Sequence, residues 1–288
     1  MREEHLVGIS YLREVTTLLQ RVRTADSTAG VFEAADYQWW WRTPRPTDIV
    51  PQLFWFDDSD RPVAALVATD WGDAVGLDPI VMPDATVEWI GHGVERGLAH
   101  ATDSGFENLE FVVDRRDELM IGVLAGHGFT TMEDEGVDSW LAADSRPAIS
   151  PLHSSYRLVT RLETMPAPHH MIPRSGPDVE SRLRQTSLYR PDLDLLVLDD
   201  DERPAAYGLF WLDPETATGL VEPMRTEDDH QRRGLARHVL TAGLNRLFEA
   251  GAARVKIAWK QDNPASSTLY PDVGFRAVRE CSVVSRST

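Results

Sequence analysis

Gln231-Arg-Arg-Gly-Leu-Ala-Arg237 is the stretch on which the reading of this chain turns. After it, Leu235, Val239, Leu240, Leu244 and Leu247 recur at helical spacing up to Gly251, a C-terminal cap. Ahead of it a strand is expected near residues 218–226, so the heptapeptide joins a strand to a helix with glycine at its centre. Backbone N–H groups at the start of a helix, helped by the helix dipole, form an anion site, and glycine lets the chain come close to a diphosphate. Arg232, Arg233 and Arg237 add local positive charge to a chain whose net charge is −17. The competing reading is a basic helix start that binds nothing.

Upstream, residues 193–198 and 205–212 are short apolar runs separated by Asp199-Asp-Asp-Glu-Arg-Pro204, which is turn chemistry and predicts a hairpin. Downstream, a strand is expected over 254–259 and a short helix over 265–270. The first half repeats this order, with strands near 53–56, 63–69 and 109–113. Three blocks align the halves. Asp60-Arg-Pro-Val-Ala-Ala65 matches Glu202-Arg-Pro-Ala-Ala-Tyr207, and Gly76-Leu-Asp-Pro79 matches Gly219-Leu-Val-Glu-Pro223. Gly105 and Gly128-Phe129 match Gly251 and Gly274-Phe275, and the offset drifts slowly from 142 to 146. Blocks in one order with a drifting offset indicate duplication. The expected fold is a tandem of two α/β units, each an α+β mixed sheet, over residues 1–144 and 152–288, joined by the Pro-containing stretch 142–151.

The 288 residues suffice for two cores, and 42% hydrophobic with 26% charged residues is a globular composition. The acidic balance argues against a nucleic-acid partner, and no apolar run approaches the roughly 20 residues that span a bilayer, so no membrane role is expected. The opening ten residues lack a basic region followed by an apolar one, and Cys281 is the only cysteine; both fit a cytoplasmic protein without disulfides. Cys281 has no base partner in the sequence and reads as a packing residue. His169-His170 has no other ligand-spaced His or Cys near it, so no metal is expected.

Val221-Glu-Pro-Met-Arg-Thr226, followed by Gln231-Arg-Arg-Gly-Leu-Ala236, resembles the strand and Q/R-x-x-G-x-G/A loop of the GNAT superfamily of N-acetyltransferases. Asn263-Pro-Ala-Ser-Ser-Thr-Leu-Tyr270 and Gly274-Phe275 resemble the family's N-x-x-A-x-x-x-Y and G-F segment, so that the resemblance covers residues 218–278. The tandem layout is similar to that of the mycothiol synthase family, whose C-terminal copy is the active one. The resemblance implies acetyl-CoA in the second half, with pantetheine pairing along Met224, Arg225 and Thr226. Gln231, Arg232, Arg233, Gly234, Leu235, Ala236 and Arg237 would cradle the pyrophosphate, and Asn263 would hold the pantetheine or cap the following helix. Tyr270 would protonate the departing thiolate; its competing reading is a core aromatic beside Phe275. Glu222 is the candidate general base, although better-known members carry their glutamate two positions earlier, where this chain has Leu220. Period-two alternation sets Glu222 about 7 Å further along the same face, a gap that a water could bridge.

The implied reaction is direct attack of a small amine on the thioester, without a covalent enzyme intermediate. An inert acyl-CoA-binding or regulatory module is the alternative, and chemistry on an amino-acid ester or aminoacyl group stays open. In the first copy, Ala85-Thr-Val-Glu-Trp-Ile90 stands where the loop would be, with neither glycine nor arginine, while Asp117 answers to Asn263 and Leu124 to Tyr270. That copy is degenerate and reads as a scaffold that shapes the acceptor cleft. Trp39, Trp40 and Trp41, with Arg42, either stack on the acceptor or are buried, and residues 165–177 read as a loop bordering the acceptor. Monomer and homodimer remain equally compatible with the sequence.

Overall fold

A computed structural model describes residues 1–286, apart from the side chains of residues 131–135. In the first half come β1 (Arg2–Leu6), α1 (Ile9–Ala25), α2 (Ala34–Trp40), β2 (Gln52–Phe56), β3 (Pro62–Asp70), β4 (Val75–Val81), α3 (Val87–Asp103), β5 (Leu109–Asp114), α4 (Glu118–Gly126) and β6 (Thr130–Ala142). The second half contains β7 (Tyr156–Thr160), the short helices α5 (Arg161–Thr164), α6 (Ile172–Ser175) and α7 (Val179–Leu183), then β8 (Asp194–Asp199), β9 (Pro204–Asp213) and β10 (Thr218–Thr226). It closes with α8 (Leu235–Glu249), β11 (Arg254–Lys260), α9 (Pro264–Val273) and β12 (Arg276–Arg286). The stretch 165–177, expected as a loop, contains α6; Met171 and Ser175 there are buried, and packing stabilises a turn that periodicity could not announce.

The chain divides into two compact units, one of residues 1–37, 44–137 and 279–286, the other of 38–43 and 138–278. Strand order is β1-β2-β3-β4-β5-β12 in the first and β6-β11-β10-β9-β8-β7 in the second. Each sheet is mixed: β4 pairs parallel with β5 and β10 parallel with β11, whereas β1 to β4 and β7 to β10 pair antiparallel in succession. The linear division at 144 and 152 differs from this partition in segments 38–43, 138–144 and 279–286. β12 pairs antiparallel with β5 from Cys281 opposite Asp114 to Arg286 opposite Leu109, and a buried Lys256–Asp138 ion pair of 3.3 Å ties β6 into the second unit. Strand patterning reports which face is buried, whereas the open edge that completes a ladder is a property of the folded sheet.

The duplication extends to individual hydrogen bonds. In the first turn Asp57 N donates to Arg61 O at 3.0 Å, and in the second Asp199 N donates to Arg203 O at 3.0 Å. The Asp57 and Asp199 carboxylates accept the amides two and four residues on, and Asp60 and Glu202 both adopt left-handed backbone, φ 55° and 61°. Gly97 in α3 and Gly243 in α8 are also equivalent, 146 apart. A Cβ on Gly97 would sit 2.4 Å from Leu66, and one on Gly243 would sit 2.0 Å from the Phe210 ring, so each helix approaches its sheet through a glycine. One core gathers Leu53, Leu66, Leu98, Phe111 and Leu124, the other Leu195, Phe210, Val239, Leu244 and Ile257. Among the described residues no helix is long and apolar enough to cross a membrane.

Candidate active site

β10 and β11 pair only over Thr218–Leu220 and Arg254–Lys256, although β10 runs on to Thr226 and β11 to Lys260. The strands therefore part after Leu220. The opening is a cleft of about 590 Å³ whose lining includes Met224, Arg225, Thr226, Asn263, Leu269 and Tyr270. Pro223 lies in the parted stretch, where a missing N–H costs no ladder bond. Val221 faces Phe210 and Met224 faces Gly208, so β10 advances three residues where β9 advances two. Val221 and Met224 both pack into the core beneath α8. The bulge interrupts the period-two alternation from which the offset of Glu222 was counted.

The loop turns into α8 through two left-handed residues, Arg232 (φ 59°) and Gly234 (φ 80°). Gly234 N-caps α8 with no side-chain hydrogen bond, and no acidic residue stands in the first turn. Leu235, Ala236 and Arg237, whose amides open the helix, line the cleft with Gln231 and Arg232. Free amides at the positive end of a 15-residue helix suit an anion. Arg237 pairs with Asp272 at 3.0 Å, and Gln231 donates to Asp228 at 3.1 Å. Arg233 points elsewhere: its guanidinium donates to the Tyr156 hydroxyl at 2.9 Å and to the Asp229 carbonyl at 3.0 Å. Arg225 and Thr226 also line the cleft, and Arg225 Nε and Thr226 Oγ1 are buried without a hydrogen-bond partner.

Asn263 Oδ1 accepts the amides of Ala265 at 3.1 Å and Ser266 at 3.4 Å, capping α9 while lining the cleft. Tyr270 joins both of its expected surroundings. Its ring belongs to the core, 6.2 Å from Phe275 and 5.4 Å from Trp259, and the residue also lines the cleft. Burial, and then the charge of Glu222, push its hydroxyl up to about 12. Glu222 is half-buried and lies outside the cleft lining; its backbone carbonyl accepts the Trp211 indole N–H at 2.8 Å.

Trp39 and Trp41 are buried within the second unit, and each carries an arginine of the same unit on its ring, Arg42 and Arg182, both 3.6 Å from the centroid. Those ring faces are thereby covered by the protein's own cations. Asp194, fully buried, accepts the Tyr189 hydroxyl at 2.9 Å and His169 Nε2 at 3.1 Å, a network that neither spacing nor composition announced. His169, His170 and Asp194 bring three ligand-type atoms within 4.8 Å. His169 Nδ1 accepts the Met171 amide at 3.2 Å, which puts the proton on Nε2, and the two rings stack at 24°. Both His170 ring nitrogens and Asp194 Oδ1 are buried without a hydrogen-bond partner, with His170 Nε2 3.4 Å from Asp194 Oδ1. Burial pushes His170 down to about 4 and keeps it neutral. Cys281 is buried on β12 opposite Asp114.

The first unit keeps the parted strands and has lost the anion site. β4 and β5 pair only at Val75–Gly76 and Leu109–Glu110, and beyond them lies a cleft of about 480 Å³. There the helix start is filled from within: Thr86 caps α3 by accepting the Trp89 amide at 3.3 Å, and Glu88 sits in its first turn. Asp117 caps α4 as Asn263 caps α9, and Leu124, in the place of Tyr270, is buried in the core. Asp78, preceding Pro79 as Glu222 precedes Pro223, is buried, accepts the Tyr37 hydroxyl at 2.8 Å, and is pushed up to about 7 by burial.

Residues 158–275 match the acetyltransferase (GNAT) family. The mycothiol acetyltransferase of Corynebacterium aurimucosum is 33% identical over 88 residues, 29% of this chain and 29% of that one. The mycothiol acetyltransferase of Clavibacter sepedonicus is 28% identical over 191 residues, 64% of this chain. The aligned stretches thus span 29% and 56% of the lengths of these curated relatives. Among solved structures, a tandem GNAT protein from the clavulanic acid biosynthesis pathway superposes with a TM-score of 0.71 at 16% identity, covering 99% of this chain and 98% of its own. A GCN5-related N-acetyltransferase from Sphaerobacter thermophilus gives 0.64 at 13% identity, with 99% and 95% covered. At such identities the structural likeness speaks for the fold.

Proposed function

We propose that the second unit binds acetyl-CoA and transfers its acetyl group to a small amine by direct attack. The observation that carries this reading is the uncapped start of α8 at the mouth of the parted β10 and β11, an anion site opening into a cleft with unpaired strand edge. The family match over residues 158–275 and the names of the curated relatives agree with it.

In this reading the amides of α8's first turn, with Arg232 and Arg237, hold the diphosphate. The unpaired edge of Met224, Arg225 and Thr226 pairs with the pantetheine arm, and Asn263 supports it from the start of α9. An activated thioester supplies the acetyl group. β10 orients that group with a backbone N–H directed at the carbonyl oxygen, where charge develops. Tyr270 stabilises the leaving sulfur through its hydroxyl, and Glu222, directly or through water, takes the proton from the attacking amine. The amine nitrogen forms the new bond to the carbonyl carbon as the carbon–sulfur bond breaks.

Acetyl-CoA titrated by calorimetry into the full chain, followed by thiol release across a panel of small amines, tests this. Absence of acetyl-CoA binding would overturn it, whereas saturable binding without turnover on any amine would leave the inert acyl-CoA-binding alternative. Glu222→Gln should remove the acidic limb of the pH–rate profile with the best acceptor; an unchanged profile would place the base elsewhere.

A further inference from the structure

Three arginines of the second unit gather beside the donor strand, on the sheet face opposite α8. Arg225 stands across from Tyr207 in the β10–β9 register, between Met224 and Thr226, both of which line the cleft. Arg174 Nη2 lies 2.8 Å from Glu227 Oε2, and Arg225 Nη2 lies 3.6 Å from that same oxygen, so two guanidiniums converge on one carboxylate atom. Arg42 Nε donates to the Ser175 hydroxyl at 3.3 Å, next in sequence to Arg174, and its guanidinium is braced on the Trp39 ring. The Tyr207 hydroxyl has no hydrogen-bond partner among the described residues, and its electrostatic surroundings are Glu227, Arg174, Arg225 and Arg42. Arg225 Nε is buried and has no partner. Glu227 and the largely exposed Asp228 stand among these guanidiniums as counter-charges to Arg174 and Arg225.

We infer that this cluster recognises a carboxylate on the acceptor, so that the acceptor class is a small amine bearing a carboxylate, as an amino acid does. The inference rests on the acetyl-transfer reading of the neighbouring cleft. Three features favour a carboxylate. Glu227 already shows that one carboxylate oxygen fits between Arg174 and Arg225. A planar guanidinium matches a planar carboxylate in direction as well as charge. The orphan Arg225 Nε and the unpartnered Tyr207 hydroxyl offer donors that Glu227 leaves unused. A neutral amine would leave those donors unmet, which is the condition under which a site discriminates strongly against an analogue lacking the group.

The test compares phenylalanine, phenylalaninamide and phenethylamine, together with β-alanine and its amide, as acceptors for the full chain. Thiol release should favour each carboxylate over its neutral counterpart by about tenfold or more in kcat/KM, the scale of a charge-assisted hydrogen bond. Arg174→Gln and Arg42→Gln should each pull that ratio toward one through the acceptor KM, and Arg174→Lys should restore part of it. Neutral members used as well as the carboxylates, or a ratio that neither variant changes, would overturn the inference while leaving acetyl transfer intact. If no amine turns over, direct calorimetric titration of the same probes decides. Carboxylate binding that weakens in Arg174→Gln supports the cluster, and equal or absent binding of both probe types refutes it. Thermal melts of the variants separate loss of recognition from loss of fold.

Discussion

Replacing Tyr270 by phenylalanine removes one oxygen from the floor of the cleft and leaves a ring of nearly the same shape against Phe275 and Trp259. The hydroxyl titrates at about 12, held there by burial first and by the charge of Glu222 second. A thiol of ordinary acidity titrates near 8.5, so handing the proton fully to a free thiolate would run uphill by about 3.5 units, or about 5 kcal/mol. The tyrosine should therefore act chiefly by keeping a hydrogen bond to sulfur as negative charge grows there. A charge-assisted hydrogen bond is worth about 1.5–3 kcal/mol, which sets the loss in kcat at roughly 10- to 150-fold for Tyr270→Phe. Acetyl-CoA affinity, which the proposed function assigns to the loop and strand edge, should change by less than about threefold. Because the group stays protonated below about 12, it should produce no alkaline limb in the rate profile up to pH 10. Steady-state thiol release from pH 6 to 10, with acetyl-CoA calorimetry on both proteins, measures all three quantities. Equal losses in affinity and turnover would reduce Tyr270 to a packing residue. An alkaline limb near pH 9–10 that disappears in the variant would refute the burial argument.

Other positions carry sharp expectations. Asp78 has a folded-state pKa raised to about 7 from 3.8, so its ionisation disfavours the fold, and stability falls as pH rises from about 4 to about 7. Asp78→Asn, still able to accept from Tyr37, should melt with a flatter pH dependence and gain on the order of 3–5 kcal/mol at pH 8 relative to the parent, before the cost of seating the amide; parallel melting curves would refute the assignment. Gly234→Ala places a Cβ on a left-handed residue facing open space, which should cost about 1–2 kcal/mol in stability and weaken acetyl-CoA by about tenfold; unchanged affinity in calorimetry would remove the α8 amides from the site. Asn263→Ala should lose about 1 kcal/mol of cap, whereas Asn263→Asp should keep the cap and weaken acetyl-CoA alone; if Asn263→Asp binds normally, Asn263 serves only the helix.

Much of this architecture could be read from local chemistry. The hairpin around Asp199, the strand at Thr218–Thr226 and the helix from Leu235 follow from turn residues and periodicity that act within a few residues of themselves. The duplication was legible for the same reason: the turn at Asp57, the left-handed Asp60 and the glycines after each helix are local requirements that recur in the second copy. The loop at Gln231 was legible because glycine at a helix start has few other uses. Less visible were the groups that meet only in space. Arg42 and Arg174 stand 132 positions apart, and Arg225 reaches Tyr207 through sheet register. Arg233 counted as one more positive charge in the loop, yet its guanidinium is committed to Tyr156.

The sequence alone determined that two mixed α/β units follow one another and that one helix start, at Gly234, is free of its own cap, because propensity, periodicity and capping are written in neighbouring residues. Only the tertiary structure decided which edge β6 and β12 complete, where β10 parts from β11, how a bulge shifts Glu222, and that three arginines share one small region. Edge pairing, strand divergence and charge convergence depend on distances between residues far apart in the chain, and such distances come into being only when the sheet closes.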